Sequence, residues 1–198
     1  SAAPKADVIW SSTGAVLSEN ADLFTPYTPK DFDRIDPRFV VSPAWTPYTT
    51  VIYVLMVNTK MVKDAEIPGD WTALSDPKWK GKVASSRVDN SGSAMQQLTT
   101  VLTAFGDKGW DAYAKLAENF VFSDSSAAAP RFVADGETPL GLVLEDNALD
   151  YVNGGAPVKI AYLKDGTTTS PDGVALIKGG PHPEAAKKFI DWAVSKPT

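Results

Sequence analysis

A chain of 198 residues that is 43% hydrophobic can bury one sizeable core or two modest ones, and its make-up is not that of a disordered protein. A net charge of -5 with sparse arginine leaves no basic stripe for a nucleic acid, while the absence of cysteine and the single histidine exclude disulfides, thiolate metal centres and thiol nucleophiles and leave little for a Ser-His pair. No run nears the roughly 18 apolar residues of a membrane-spanning helix, and no signal peptide opens the sequence, so any export signal is expected to have been removed.

In chain order, Ala6–Trp10 reads as a short buried strand that feeds a polar turn at Ser11–Gly14. Residues 24–47 are crowded with Pro, Tyr and Asp and predict irregular surface chain without a long helix. Thr49–Val57 is dense in β-branched and aromatic residues and predicts a strand, followed by turn-rich chain and a short strand at Lys82–Ser85. Helical spacing predicts helices at Ser93–Phe105 and Asp107–Asn119 with Gly106 as the stop between them. Then come a strand at Phe120–Phe122, a helix at Ser125–Asp135, a strand at Pro139–Leu144 and a helix at Asp146–Val152. Strands at Val158–Leu163 and Val174–Ile177 and a helix at Pro183–Val194 complete an α/β alternation.

Several residues stand where this pattern would meet a ligand. Ser91, Gly92 and Ser93 run straight into an apolar-periodic helix, where hydroxyls and free N–H groups suit a phosphate, phosphonate or carboxylate; the plain alternative is an ordinary N-cap. Ser125 and Ser126 repeat the arrangement at a second helix start. Glu145 and Asp146 lie where a strand yields to a helix, either as a capping pair or as acceptors for hydroxyl or amine groups of a ligand. Ser11, Ser12 and Thr13 follow the first strand as a simple turn or as ligand contacts. Adjacent carboxylates point in different directions, so Glu145 and Asp146 are poorly arranged as the acid and base of a hydrolase, and no enzyme is expected.

In order and spacing, Ala6-Asp-Val-Ile-Trp, Trp71-Thr-Ala-Leu-Ser-Asp-Pro-Lys-Trp-Lys-Gly-Lys-Val, Ser91-Gly92, Gly136-Glu137, Glu145-Asp146-Asn147-Ala148 and the run from Pro171 to Trp192 resemble the extracellular solute-binding proteins of ABC importers. The branch is the one that includes ferric-ion, thiamine, phosphonate and sugar-phosphate binders. The resemblance implies a two-lobed periplasmic-binding-protein fold of type II with crossover strands near Thr49–Ile52 and Thr167–Gly173. Lobe I would hold 1–50 and 170–198, and lobe II 51–169. Family members open with a strand-helix-strand unit and continue beyond the last helix, so the resemblance implies a sequence truncated at both ends, with lobe I incomplete.

It also implies a periplasmic or extracellular monomer that captures a small anionic solute in an interlobe cleft and hands it to a membrane permease, with no cofactor. Thr46 and Tyr48 precede the first crossover and join the candidate ligand contacts, and Trp10 and Trp45 are the tryptophans placed for the cleft. Ferric-ion binders of this family carry a Tyr-Tyr pair where this chain has Asp146-Asn147. Phenolates are strong hard-oxygen donors, so the anion reading leads and a ferric-ion transport protein is the alternative, with a ligand-sensing module further off.

Overall fold

The computed structural model describes residues 4–89 and 91–195; Asn90, within the Asp89–Ser93 motif, and the outer ends of the expected lobe I lie outside the described residues. The elements run β1 (Val8–Thr13), α1 (Gly14–Glu19), β2 (Phe24–Thr25), β3 (Thr46–Asn58), α2 (Trp71–Leu74), β4 (Val83–Ser86), α3 (Gly92–Phe105), α4 (Gly109–Ala117), β5 (Phe120–Ser123), α5 (Ala128–Ala134), β6 (Leu140–Leu144), α6 (Glu145–Asn153), β7 (Val158–Ala161), β8 (Thr169–Ile177) and α7 (Pro183–Ala193). The chain divides into two units, Ser1–Val51 with Ser170–Thr198, and Ile52–Thr169, so it passes from one to the other inside β3 and again at the start of β8.

In unit 1, β8 is flanked by antiparallel β1 and β2. The polar turn expected at Ser11–Gly14 is instead the continuation of β1 to Thr13, because Ser12 and Thr13 pair with Gly173 and Asp172; a bulge between Trp10 and Ser12 absorbs the extra residue. Thr13 then caps α1, a helix that the sequence reading left out, by accepting the Val16 N–H. Leu17, Phe24, Trp45 and Ala175 close one face of this sheet, and Val174, Leu176, Ala186 and Ile190 the other. Trp45, expected at a ligand cleft, is a core residue at 3% exposure, with its indole N–H donating to Ser18 Oγ at 3.0 Å.

In unit 2 the sheet order is β7-β3-β6-β4-β5, with β4 parallel to both β6 and β5 and β3 antiparallel to β6 and β7. Buried on both faces, β4 needs no alternation, and helices pack on each side. One core joins Leu55, Val57, Trp71, Leu74, Val83, Val101, Leu116 and Leu140; the other joins Val54, Met56, Ala84, Val133 and Val143. The α3 helix is pinned to β4 through Ser85 Oγ, which donates to Gln97 Oε1 at 3.0 Å. The α3–α4 pair comes so close that a Cβ on Gly109 would stand 2.7 Å from Leu102 Cα. The helix expected from Ser125 begins at Ala128 because Pro130 has no N–H for an interior turn and fits only in the first one.

The Trp71–Leu74 part of the long motif is scaffold. Asp70 caps α2 by accepting the Ala73 N–H at 2.6 Å, while Trp71 donates its backbone N–H to Asp165 and its indole N–H to Gly166 O. The Lys164 ammonium, 2.7 Å away, and then the Ala73 N–H hold the Asp70 carboxyl below the usual carboxylate range. A carboxyl depressed in the folded state contributes stability that is present above its unfolded pKa and lost as the pH falls through its folded one. Wild-type protein should therefore lose stability on acidification through that window, and Asp70→Asn should lose less. Equal losses in denaturant titrations at successive acid pH values would refute it.

Candidate functional site

Parallel strands place their C-terminal ends on one edge, where α/β sheets commonly receive ligands. In unit 2 that edge carries Ser86 at the end of β4, Ser123 at the end of β5 and Leu144 at the end of β6, and β3 contributes Tyr53, which pairs with Leu144. The chain leaves these strands to begin α3, α5 and α6. Ser91, Gly92, Ser93, Ser125, Ser126, Glu145 and Asp146 are thereby gathered on the same edge of one sheet, although 55 residues separate the first from the last.

Ser91 is the N-cap of α3: its Oγ accepts the Ala94 N–H at 3.2 Å and lies 3.2 Å from Ser93 Oγ. Gly92 is exposed and opens the helix, which leaves the Gly92 and Ser93 N–H groups to solvent or a ligand. Ser93 also pairs with the Tyr53 hydroxyl, and burial pushes that phenol far above its ordinary range, so it stays protonated. Neither serine hydroxyl at 125 or 126 caps α5, whose N-cap is Ala127; Ser125 uses its carbonyl, accepting from Ala128 N and from Ser123 Oγ. Ser86 Oγ is buried without a hydrogen-bond partner among the described residues. A buried hydroxyl left unpaired costs roughly 1–3 kcal/mol, which a ligand acceptor or a water would offset.

The capping alternative does not describe Glu145, while Asp146 holds an N–H in the first turn of its own helix. Leu144 is the N-cap of α6 and makes no side-chain cap bond. Glu145 accepts the hydroxyl of Tyr162, which follows β7, and Asp146 accepts the Asn147 N–H at 2.8 Å. The Glu145 carboxylate is the chief cause that raises the Tyr162 phenol above its usual pKa, so Tyr162 is a donor here. Arg87 at the same edge is held by Asp89, with N–O distances of 3.0 and 2.6 Å.

The remaining candidates lie in unit 1. Ser11 sits in the bulge with φ 63°, a left-handed conformation rare for serine, and its Oγ meets Tyr48 Oη at 2.9 Å. The Tyr48 ring lies 5.9 Å from that of Trp10, which is half exposed and also contacts Phe189 and Trp192. Ser12 and Thr13 are strand residues, and Thr46 is buried at 2% exposure. Sequence reasoning missed Tyr53, Ser86, Ser123 and Tyr162. For the serines a signal existed, since both end short apolar strands. For the tyrosines none did, because their partners are 40 and 17 residues away.

The geometry has known counterparts. The periplasmic binding protein AfuA from Actinobacillus pleuropneumoniae, solved with fructose-6-phosphate bound, superposes with a TM-score of 0.88 at 29% identity, over 98% of this chain and 64% of that one. An uncharacterised protein of Haemophilus influenzae is 34% identical over 98% of this chain and 59% of its own length. The Fe(3+)-binding periplasmic protein of Serratia marcescens is 27% identical over 94% of this chain and 57% of its own. The chain thus spans little more than half the length of the curated relatives it matches. The two-lobed α/β fold with crossover strands is theirs. Residues 3–198 match the model of the bacterial extracellular solute-binding proteins, and the chain belongs to that family.

Proposed function

We propose that this chain is the solute-capturing part of an ABC importer that delivers cargo to a membrane permease as a monomer. The cargo is a small hydroxylated anion, a sugar phosphate or phosphonate, seated on the serine-bearing edge of unit 2. One observation carries this reading: the α3 start, with Ser91 capping it and Ser93 beside it, shares an edge with the buried unpaired hydroxyl of Ser86. Hydroxyls and helix N–H groups donate to an anion, and the N-terminal end of the helix dipole favours it. Glu145 on the same edge reads sugar hydroxyls. The sugar phosphate bound by AfuA is of this class.

Ferric ion is the second reading, and the relatives' names favour it over the first: two of the curated relatives are named for iron. A specific feature agrees, since Tyr162 and Glu145 place a phenol and a carboxylate, both hard oxygen donors, side by side. Against it, Asp146-Asn147 stands where the resemblance puts two tyrosines, and Tyr162 is held protonated.

Calorimetry with fructose-6-phosphate, methylphosphonate, inorganic phosphate and ferric citrate separates the two. Saturable binding of an organophosphate, weakened at least about tenfold by Ser91→Ala through loss of a charge-assisted hydrogen bond and of the cap, is the expected result. Ferric binding that Tyr162→Phe abolishes, with no heat from any phosphate or phosphonate, would install the second reading instead.

A further inference from the structure

The Lys78-Trp79-Lys80-Gly81-Lys82 part of the long motif takes no part in the serine edge. Strand β4 begins at Val83 and ends at Ser86, so Lys82 and Ser86 lie at opposite ends of the strand, about 13 Å of extended chain apart. At the Lys82 end is a cavity of about 450 Å³, within the roughly 300–1,000 Å³ of small-molecule sites. Its apolar wall is Trp79, Val62 and Pro139, all buried, with Met61 half exposed beside them.

Two carboxylates and two ammonium groups line the cavity, but among the described residues only Glu137 has an ion-pair partner, so two unpaired lysines face one unpaired carboxylate, Glu66. Glu66 lines the cavity but its carboxylate accepts the Lys63 N–H at 3.2 Å, and Glu137 is paired with Arg131 at 3.1 Å. Lys78 and Lys82 form no ion pair among the described residues. The Lys78 ammonium stands 5.0 Å from the Trp79 ring centroid, a cation held over the same indole that forms the wall. Gly81, at φ +65°, has open space where a Cβ would stand.

We propose that this cavity is a second small-molecule site, separate from the serine edge, and that it takes a small amphipathic carboxylate. An aromatic or short aliphatic body lies against Trp79 and Val62, and the carboxylate meets the ammonium groups of Lys78 and Lys82. The apolar wall selects against inorganic phosphate, and the unmatched ammonium groups select against neutral analogues of the same shape.

The test is calorimetric titration with 3-phenylpropionate, alongside its amide as the neutral counterpart. Saturable binding of the acid, weakened about fivefold to tenfold in Lys78→Gln/Lys82→Gln as two exposed charge contacts are lost, and unchanged in Ser91→Ala, is the expected result. Both lysines are exposed, so this variant does not threaten the fold. No heat up to about 10 mM acid, equal binding of the amide, or binding that survives the double lysine substitution overturns the proposal. Ser91→Ala separates this outcome from that of the serine edge, which organophosphates report.

Discussion

Gly173→Ala is expected to destabilise unit 1 by about 3 kcal/mol, the upper range for adding one methyl to a close-packed core. A Cβ at this position would stand 2.5 Å from Trp45 Cε3 and 2.6 Å from Leu17 Cδ1. Both side chains are almost fully buried, at 3% and 0% exposure, so neither can swing aside into solvent. Strand β8 cannot retreat freely either, because Gly173 is paired with Ser12 on β1 at the bulge that holds Ser11 against Tyr48. Urea unfolding of Gly173→Ala, Trp45→Phe and the double variant measures this. The smaller ring should relieve part of the clash, so the two effects should fall short of additivity by about 1 kcal/mol or more. A Gly173→Ala cost below about 0.5 kcal/mol would show that the backbone moves apart without penalty.

Asn119→Ala should cost unit 2 a comparable amount, about 3 kcal/mol, because it leaves the buried Leu74 carbonyl and the part-buried Asp76 carbonyl without their donor. The Asn119 amide donates to Leu74 O at 2.9 Å and to Asp76 O at 3.0 Å, and the side chain is 2% exposed. Its backbone carbonyl meanwhile accepts from Lys82 and Val83, so this one residue ties the end of α2 and the turn after it to the start of β4. For a chain of this size a loss of about 3 kcal/mol lowers Tm by roughly 6–12 °C, readable by circular dichroism. A fall of less than about 2 °C would mean that water satisfies both carbonyls. Since Asn119 lies at the opposite end of β4 from Ser86, organophosphate affinity measured well below Tm should be unchanged.

Local chemistry made much of unit 2 legible. The strand expected at Lys82–Ser85 and the helix expected at Ser93–Phe105 stand within one residue of β4 and α3, because a buried apolar run and helical spacing are properties of short windows. Gly106 ends α3 at φ 54°, a conformation that glycine adopts without penalty. The Ser91 cap was readable for the same reason, since an N-cap bonds within its own first turn. Unit 1 was less legible. Helix α1 is six residues long, too short for its period to show, and β1 runs to Thr13 only because β8, about 160 residues later, supplies the partner.

The candidate site divides along the same line. Which residues carry hydroxyls, where helices begin, and the lack of thiols and of a second imidazole are all written in the sequence, and they leave out thiol nucleophiles and thiolate metal centres. Tertiary structure alone decided that Ser86, Ser91, Ser125 and Glu145 share one edge, since register between parallel strands sets which ends coincide. It also decided that Glu145 receives Tyr162 instead of capping α6, and that Trp45 fills a core while Trp10 stays half exposed. A sequence specifies what a residue can donate, accept or bury. Its partner is chosen by chain distant in sequence, and that choice exists only once the sheets have paired.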